Sequence, residues 1–376
     1  MMPEKTRKPT LAPGLVQGGA VTMPYMQTEK GAAVADLFGP TPGQARLAGN
    51  ENPFGPAPSA LKAMADTAGL GCYYADRSVF YLTAMIAERH GVSPSQVVLG
   101  SGSTEILCAA AFAWGREGSI VCPDLFWDAP IQYAERKGVD CNYVPLAGDM
   151  NLDLDGMAAA LGDGVSLVHL VNPNNPTGMA LDNGALRAFA AKVLRSGATL
   201  LVDEAYNELA DDPEGSSLVD LVRAGEDVIV CRTFSKIYGM AGLRVGYALT
   251  SEANAARVRG HMTSFGGNMA GLAAAIACFD DQPFLQGSLA AIREGRDMIL
   301  DAVARAGCTA LPSQTNFVFV DVPDADAVKE AMAARNIVIR GAFGSWKHYS
   351  RVSVGDLKDV ARYAEALPQI VEALRK

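Results

Sequence analysis

The chain of 376 residues carries 41 acidic and 32 basic side chains, a formal net charge of −9 and an isoelectric point near 5.1. With 49% apolar and 19% charged residues it reads as a globular protein long enough for two domains, and the acidic balance argues against nucleic acid as a partner, because phosphate-backbone binding needs a basic face. No apolar run reaches the roughly 18 residues of a membrane span, the amino terminus lacks a signal-peptide pattern, and the 7 cysteines are scattered without a CxxC pair, which together predict reduced core thiols, no metal site, no membrane contact and a cytoplasmic enzyme.

Residues 1–45 are rich in Gly, Pro and Thr with little periodicity and predict an extended N-terminal arm. The next stretch, 46–56, sets Asn50, Glu51 and Asn52 among turn formers; it reads equally as a connecting turn or as a substrate-lining loop. A helix is expected over 59–68, then a loop over 72–76 with two aromatic hydroxyls, Tyr73 and Tyr74. From Val97 onward strand and helix alternate. Strands are expected at 97–100, 119–122, 141–144, 166–171, 199–202, 227–231 and 245–249, with helical stretches between most of them. This alternation predicts a large α/β domain, residues 46–265, whose mainly parallel sheet is covered by helices on both faces. From Glu252 the character changes to long helices over 270–279 and 285–306, strands at 316–320, 337–340 and 351–354, and helices over 325–335 and 357–374. That pattern predicts a smaller α+β C-terminal domain, residues 266–376, against which residues 46–70 are able to pack.

Four stations fall at strand ends, where open α/β sheets place their ligand chemistry. Small residues Ser101 to Thr104 open a helix. They are able to present backbone amides to an anion, although taken alone they read better as an ordinary cap with Ser103 or Ser101 in the capping position. Asn175 lies in a proline-rich double turn, and Asp203 and Tyr206 follow the strand at 199–202. The fourth station is the stretch Thr233, Phe234, Ser235, Lys236 with Arg244 downstream: a reactive amine among hydroxyls and a cation, suited to a phosphorylated aldehyde. Each station has a bland local explanation. Their order, residue types and strand-end placement make the joint coincidence the poorer account.

Read together, NENPFGP, GSGSTE, NPNNPTG, DEAY, TFSK, AGLRVGY, QTNFVFV and RVSVG resemble the pyridoxal-phosphate aminotransferases of fold type I (aspartate aminotransferase-like), and most closely their histidinol-phosphate aminotransferase-like branch. The resemblance runs from Asn50 to the C-terminus. It implies pyridoxal 5'-phosphate as cofactor, with Lys236 as Schiff-base lysine and proton shuttle, Asp203 against the pyridine nitrogen, and Asn175 and Tyr206 at the phenolic oxygen. The cofactor phosphate would sit on Ser103 and Thr104, with Thr233, Ser235 and Arg244 around it. Phe126 falls where the family stacks an aromatic ring, with Trp127 as the alternative. Tyr74 matches a tyrosine that reaches the partner subunit's cofactor, which implies a homodimer with shared active sites. On the substrate side the resemblance points to Asn52, Arg340 and Arg351, the last as the grip on a carboxylate.

The implied activity is ping-pong transfer of an amino group from an amine donor, histidinol phosphate first, to a 2-oxo acid, 2-oxoglutarate first. Transamination of an aromatic or other α-amino acid is the alternative, because aromatic residues fill the stretch 341–349 between the two arginines. A decarboxylase, lyase or cyclising enzyme built on the same cofactor is a further one.

Overall fold

The computed structural model describes residues 38–263 and 267–376. Most of the N-terminal arm expected over 1–45 therefore lies outside the described residues. A short strand Ala45–Arg46 (β1) leads to helices Pro58–Thr67 (α1) and Asp76–His90 (α2). Proline at the first helical position pre-sets the backbone of α1, and α2 stops at Gly91, which adopts the left-handed conformation with φ 62°. Sequence reading did not find α2, whose charged residues lie only at its two ends, Asp76 and Arg77 and then Glu88 and Arg89.

The alternating region then unfolds as Val97–Ser101 (β2), Ser103–Gly115 (α3), Ser119–Pro123 (β3), Ala129–Glu135 (α4), Cys141–Val144 (β4), Leu154–Ala159 (α5) and Val165–Val171 (β5). It continues through Asn183–Ser196 (α6), Thr199–Asp203 (β6), Val219–Arg223 (α7), Val228–Thr233 (β7), Val245–Leu249 (β8) and Glu252–Arg259 (α8). Seven of these strands form one sheet in the order β2-β8-β7-β6-β5-β3-β4. β3 to β7 run parallel, and β8 is antiparallel to both of its neighbours. The central strands β6, β7 and β8 are buried along their whole length, in keeping with their mainly apolar sequences and a sheet covered on both faces. Successive side chains point to opposite faces. Leu200, Val202, Val228 and Val230 enter a core with α6, α7 and the later helix Met269–Cys278 (α9), while Leu201, Ile229 and Cys231 enter a second core with α3 and α8.

The C-terminal part comprises α9, Gln282–Arg305 (α10), Thr309–Ala310 (β9), Phe317–Asp321 (β10), Ala325–Ala333 (α11), Ile337–Val338 (β11), Tyr349–Ser353 (β12) and Leu357–Leu374 (α12). β12, β10 and β9 form an antiparallel sheet over a core of its own that includes Ile299, Val318, Val352 and Leu367. β1 pairs in parallel with β11. The strand expected over 337–340 is shorter, because β1 offers only two residues to pair with it. Arg340 instead forms an isolated bridge to Arg351, its amide 3.0 Å from the Arg351 carbonyl oxygen. No helix among the described residues is long and apolar enough to cross a membrane.

Candidate active site

β7 ends at Thr233, and the next residues leave the sheet in a loop anchored from behind by aromatic packing. The Phe234 ring lies 4.7 Å from Tyr238 and 5.7 Å from Phe279, all three buried. With its flanks held, Lys236 projects into an open cleft at the carboxyl ends of the parallel strands. Its Nζ lies 3.2 Å from the Asn50 carbonyl oxygen and 5.2 Å from the centre of the Tyr206 ring. Within the loop, Thr233 Oγ1 accepts the Ser235 amide at 3.0 Å and donates to Ser235 Oγ at 2.9 Å. Arg244, in the left-handed conformation at φ 51°, donates to Ser235 Oγ at 3.3 Å and to the Ala241 carbonyl at 2.9 Å. These three side chains are linked into one cradle.

Against the Arg244 side of the cradle stands the N-terminus of α3. The expectation of an ordinary cap is overturned here: the capping residue is Gly102, and no side chain caps the helix. Ser101 donates its amide to Glu105 at 2.8 Å instead, while Ser103 and Thr104 line the cleft. The first amides of a 13-residue helix thus face the cleft together with the positive end of its dipole. Gly102 has φ 73°, and a Cβ there would collide with the Arg244 guanidinium. Gly102→Ala is therefore expected to displace Arg244, to destabilise the protein by about 1–2 kcal/mol through the left-handed backbone and to weaken binding of a phosphorylated ligand. Thermal unfolding and ligand titration measure the two effects separately.

β6 delivers Asp203, which is buried and lines the same cleft. Its Oδ1 accepts the Ala205 amide at 3.1 Å. Burial pushes this carboxyl up to about 7, against the lowering pull of that amide and of Lys236. A carboxylate held in this way gains from a cation placed in the cleft. Tyr206 turns its ring edge to Phe317, and its hydroxyl accepts from Asn50 Nδ2 at 3.1 Å. Asn175 accepts from Arg351 Nη1 at 2.6 Å. Arg351 also donates to the Ala48 carbonyl at 2.7 Å, and burial lowers it to about 10. Its Nε has no hydrogen-bond partner among the described residues.

The remaining expected residues fall outside this ring. Phe126 is buried in the core, edge-on to His169 with ring centres 5.5 Å apart. Of the adjacent aromatics Phe126 and Trp127, Trp127 is the one that lines the cleft. Asn52, expected on the substrate side, is occupied as a fastener: it donates to the Ile237 carbonyl at 2.7 Å and accepts the Phe54 amide at 3.1 Å. Alongside it Gly55 meets Gly239 backbone to backbone, so close that a Cβ on Gly239 would come within 2.6 Å of the Gly55 Cα. Tyr74 is 85% exposed and is not among the residues lining this chain's own cleft. Arg340 borders the Arg351 end, its guanidinium 5.3 Å from the Phe343 ring centre. Sequence reasoning missed Asn50 as a contact of Lys236 and Tyr206. Its signal was the NENPFGP loop, in which Asn50 takes φ 53°. No group of three or more His, Cys, Asp or Glu among the described residues is arranged to hold a metal ion.

The cleft fits pyridoxal 5'-phosphate on its own chemistry. An amine can carry the aldehyde, a buried carboxyl wanting a cation would suit a ring nitrogen, and an uncapped helix end with Arg244 and hydroxyls suits a phosphate. A cleft of this make, at the carboxyl ends of a mainly parallel sheet, places the chain among the pyridoxal-phosphate enzymes of fold type I. Residues 42–367 match the family model for aminotransferase class I and II. Over 327 residues the chain is 36% identical to histidinol-phosphate aminotransferase 1 of Dechloromonas aromatica, covering 86% of this chain and 88% of that one. It is 35% identical to histidinol-phosphate aminotransferase 1 of Cupriavidus pinatubonensis, covering 93% and 94%. The crystal structure of histidinol-phosphate aminotransferase from Sinorhizobium meliloti, in complex with pyridoxal-5'-phosphate, superimposes with a TM-score of 0.79 at 33% identity, covering 88% and 91%. The chain belongs to the class I and II aminotransferases, and is a pyridoxal-phosphate-dependent enzyme.

Proposed function

We propose that this enzyme transfers the amino group of histidinol phosphate to 2-oxoglutarate. The observation that carries the substrate reading is a pair of arginines beside the cleft: Arg351 bonds the cleft-lining Asn175, and both guanidinium groups lie near the Phe343 ring. Arg351 is buried, its guanidinium bonded to an amide oxygen and a backbone carbonyl rather than to a carboxylate, with one nitrogen unpartnered among the described residues. Arg340 is bridged to it strand to strand. A pair of guanidinium groups favours a dianion over a single carboxylate. The similarity to relatives named for this activity supports the same reading.

When bound, pyridoxal 5'-phosphate supplies an aldehyde for the substrate amine and a ring that takes up electrons from Cα. The chain's residues do the rest. Ser103, Thr104, Thr233, Ser235 and Arg244 hold the phosphate, and Asp203 keeps a proton on the ring nitrogen. Tyr206 and Asn175 bond the phenolic oxygen, and Trp127, rather than Phe126, provides the aromatic wall. Lys236 Nζ would take the proton from the substrate Cα and return it two bonds away, across the amine nitrogen, at the cofactor's C4′, as general base and then general acid. Donor and acceptor use the site in turn, so the kinetics are ping-pong. The seven-stranded sheet and its helices make up the cofactor domain in this reading, and the part from residue 266 brings the substrate arginines.

Tyr73, Tyr74, Phe80 and Tyr81 are all exposed, at 59–85%, and lie together in sequence around the start of α2. Such a set of exposed rings marks an association surface, which supports a homodimer with Tyr74 reaching the partner's cofactor. The free cysteines fit a reducing, cytoplasmic compartment.

A second reading, transamination of an aromatic α-amino acid, draws on the rings beside Arg351. Phe343 lies 5.7 Å from the Arg351 guanidinium, and Phe319 stacks on Tyr349 at 4.9 Å. Arg340→Ala separates the two readings. It is expected to raise the KM for histidinol phosphate about 10- to 100-fold through lost charge-assisted contacts and to change that for phenylalanine by less than about 3-fold. Equal losses for both donors would refute the phosphate role, and a wild-type enzyme inert toward histidinol phosphate would refute the first reading.

A further inference from the structure

One buried ion pair takes no part in the chemistry above yet sits directly behind it. Side chains alternate along β6 and β7, so Asp203 and Thr233 face the cleft while their neighbours Glu204 and Arg232 face the opposite core. Asp203 pairs with Cys231 across the two parallel strands, which sets Glu204 beside Arg232. Arg232 Nη2 and Nε donate to Glu204 Oε2 at 2.9 and 3.2 Å. Ser217 closes the unit, donating to Glu204 Oε2 at 2.8 Å and accepting from Arg232 Nη2 at 2.9 Å. The other carboxylate oxygen accepts the Leu218 amide at 2.8 Å. The Glu204 side chain is fully buried, and that of Arg232 is 10% exposed.

We propose that Glu204 and Arg232 are positioning residues: from the far side of the sheet their ion pair clamps the Asp203 strand end to the strand that delivers Lys236, and Arg232 cancels the charge that Glu204 would otherwise project onto Asp203. Apolar residues at these two positions would fill the core as well and avoid the desolvation of two ions. What an ion pair adds is fixed register and a balanced field at adjacent residues. Two charged groups act on Asp203: Lys236, from the cleft, lowers its proton affinity, and Glu204, the next residue, raises it from the other face of the sheet; Cys231 adjoins from β7, its thiol pushed well above the usual range by burial. Around Arg232 stand Glu208, 3.8 Å away, Tyr247, and His90, which burial and Arg232 lower to about 3. Arg232 itself is held charged by Glu204.

The test uses the full-length protein stripped of cofactor and measures its affinity for pyridoxal 5'-phosphate from pH 5 to 9 by tryptophan fluorescence. Affinity falls below the pH at which Asp203 takes up a proton, and the midpoint of that fall is the readout. Glu204→Gln removes a neighbouring negative charge and is expected to move the midpoint down by about 0.5–1 pH unit; Arg232→Gln leaves Glu204 uncompensated and is expected to move it up by a similar amount. Arg232→Lys, which keeps the charge, should restore the wild-type midpoint. Midpoints that move in the same direction, or not at all, would overturn the proposal, because loss of packing alone weakens binding without opposite signs. Removing one partner of a buried pair is strongly destabilising. If the single variants do not fold, the double variant Glu204→Leu with Arg232→Met loses both charges at once. It should keep the wild-type midpoint while kcat falls about 10-fold for want of the clamp, and wild-type kcat or a displaced midpoint there would overturn the proposal. The inference rests on Asp203 facing the cofactor ring. Wild-type protein that takes up no pyridoxal 5'-phosphate at any pH would overturn that assignment, whereas uniform midpoints among the variants overturn only the role of the pair.

Discussion

Lys236→Ala is expected to lower the transamination rate by about 10⁴-fold and to remove the visible absorbance that the wild-type protein carries with its cofactor. Lys236 is the only lysine among the residues lining the cleft. No neighbour can substitute for it: Arg244 is committed to Ser235 and Ala241, and a guanidinium does not give up its proton in the working range. The control is Lys236→Arg. It keeps a cation near the Tyr206 ring, where Nζ now lies 5.2 Å from the ring centre, yet it offers no amine to form a Schiff base or to shuttle a proton. Comparable inactivity of both variants assigns the loss to proton transfer and amine chemistry rather than to charge. An alanine variant that kept its visible band and its rate would remove the foundation of the functional reading.

Asp203→Asn is expected to have two effects of opposite sign. In the loaded enzyme kcat falls about 10²- to 10³-fold, because an amide does not hold the proton on the ring nitrogen that makes the ring an electron acceptor. In the cofactor-free protein the same substitution stabilises. Burial holds the Asp203 carboxyl at about 7 in the folded chain, against the 3.8 of an ordinary aspartate. Between these values the folded state binds more protons than the unfolded one, so stability falls as pH rises from about 4 to about 7 and stays lower above that. The difference at neutral and higher pH is on the order of 4 kcal/mol. Thermal unfolding of cofactor-free wild type and variant at pH 4 and pH 8 checks it: the two should be close at pH 4, with the variant ahead at pH 8. A variant less stable than wild type at pH 8 would contradict the assigned burial. Function at this position is thus held against stability, with the cofactor's ring nitrogen as the natural compensation.

Which features were legible in the sequence depended on how local their causes are. The strands β5, β6, β7 and β8 announced themselves as apolar runs because burial on both faces leaves no room for polar alternation, and the stations Asn175, Asp203 and Lys236 followed because each adjoins such a run. The short β1 and β9 carry no comparable signal. They form because a neighbouring segment, remote in sequence, supplies the other half of their bonding or packing.

Period, turn chemistry and functional groups are written along the chain, and they were enough to read off the sheet, the order of the strand-end stations and the residue types a phosphorylated aldehyde needs. The tertiary structure alone decided which of two adjacent aromatics faces the cleft, Trp127 rather than Phe126, for a single residue of rotation separates core from site. It also turned Asn52 from a substrate contact into a fastener of the lysine loop, opened the N-terminus of α3 that the sequence read as capped, and set Asn50 against Tyr206 and Lys236. The deepest of these decisions lies behind Asp203 and Lys236, where Glu204 and Arg232, each close to a station and each pointing away from it, meet across two strands. Their proximity arises from strand register, and register is a property of the folded sheet rather than of either segment alone.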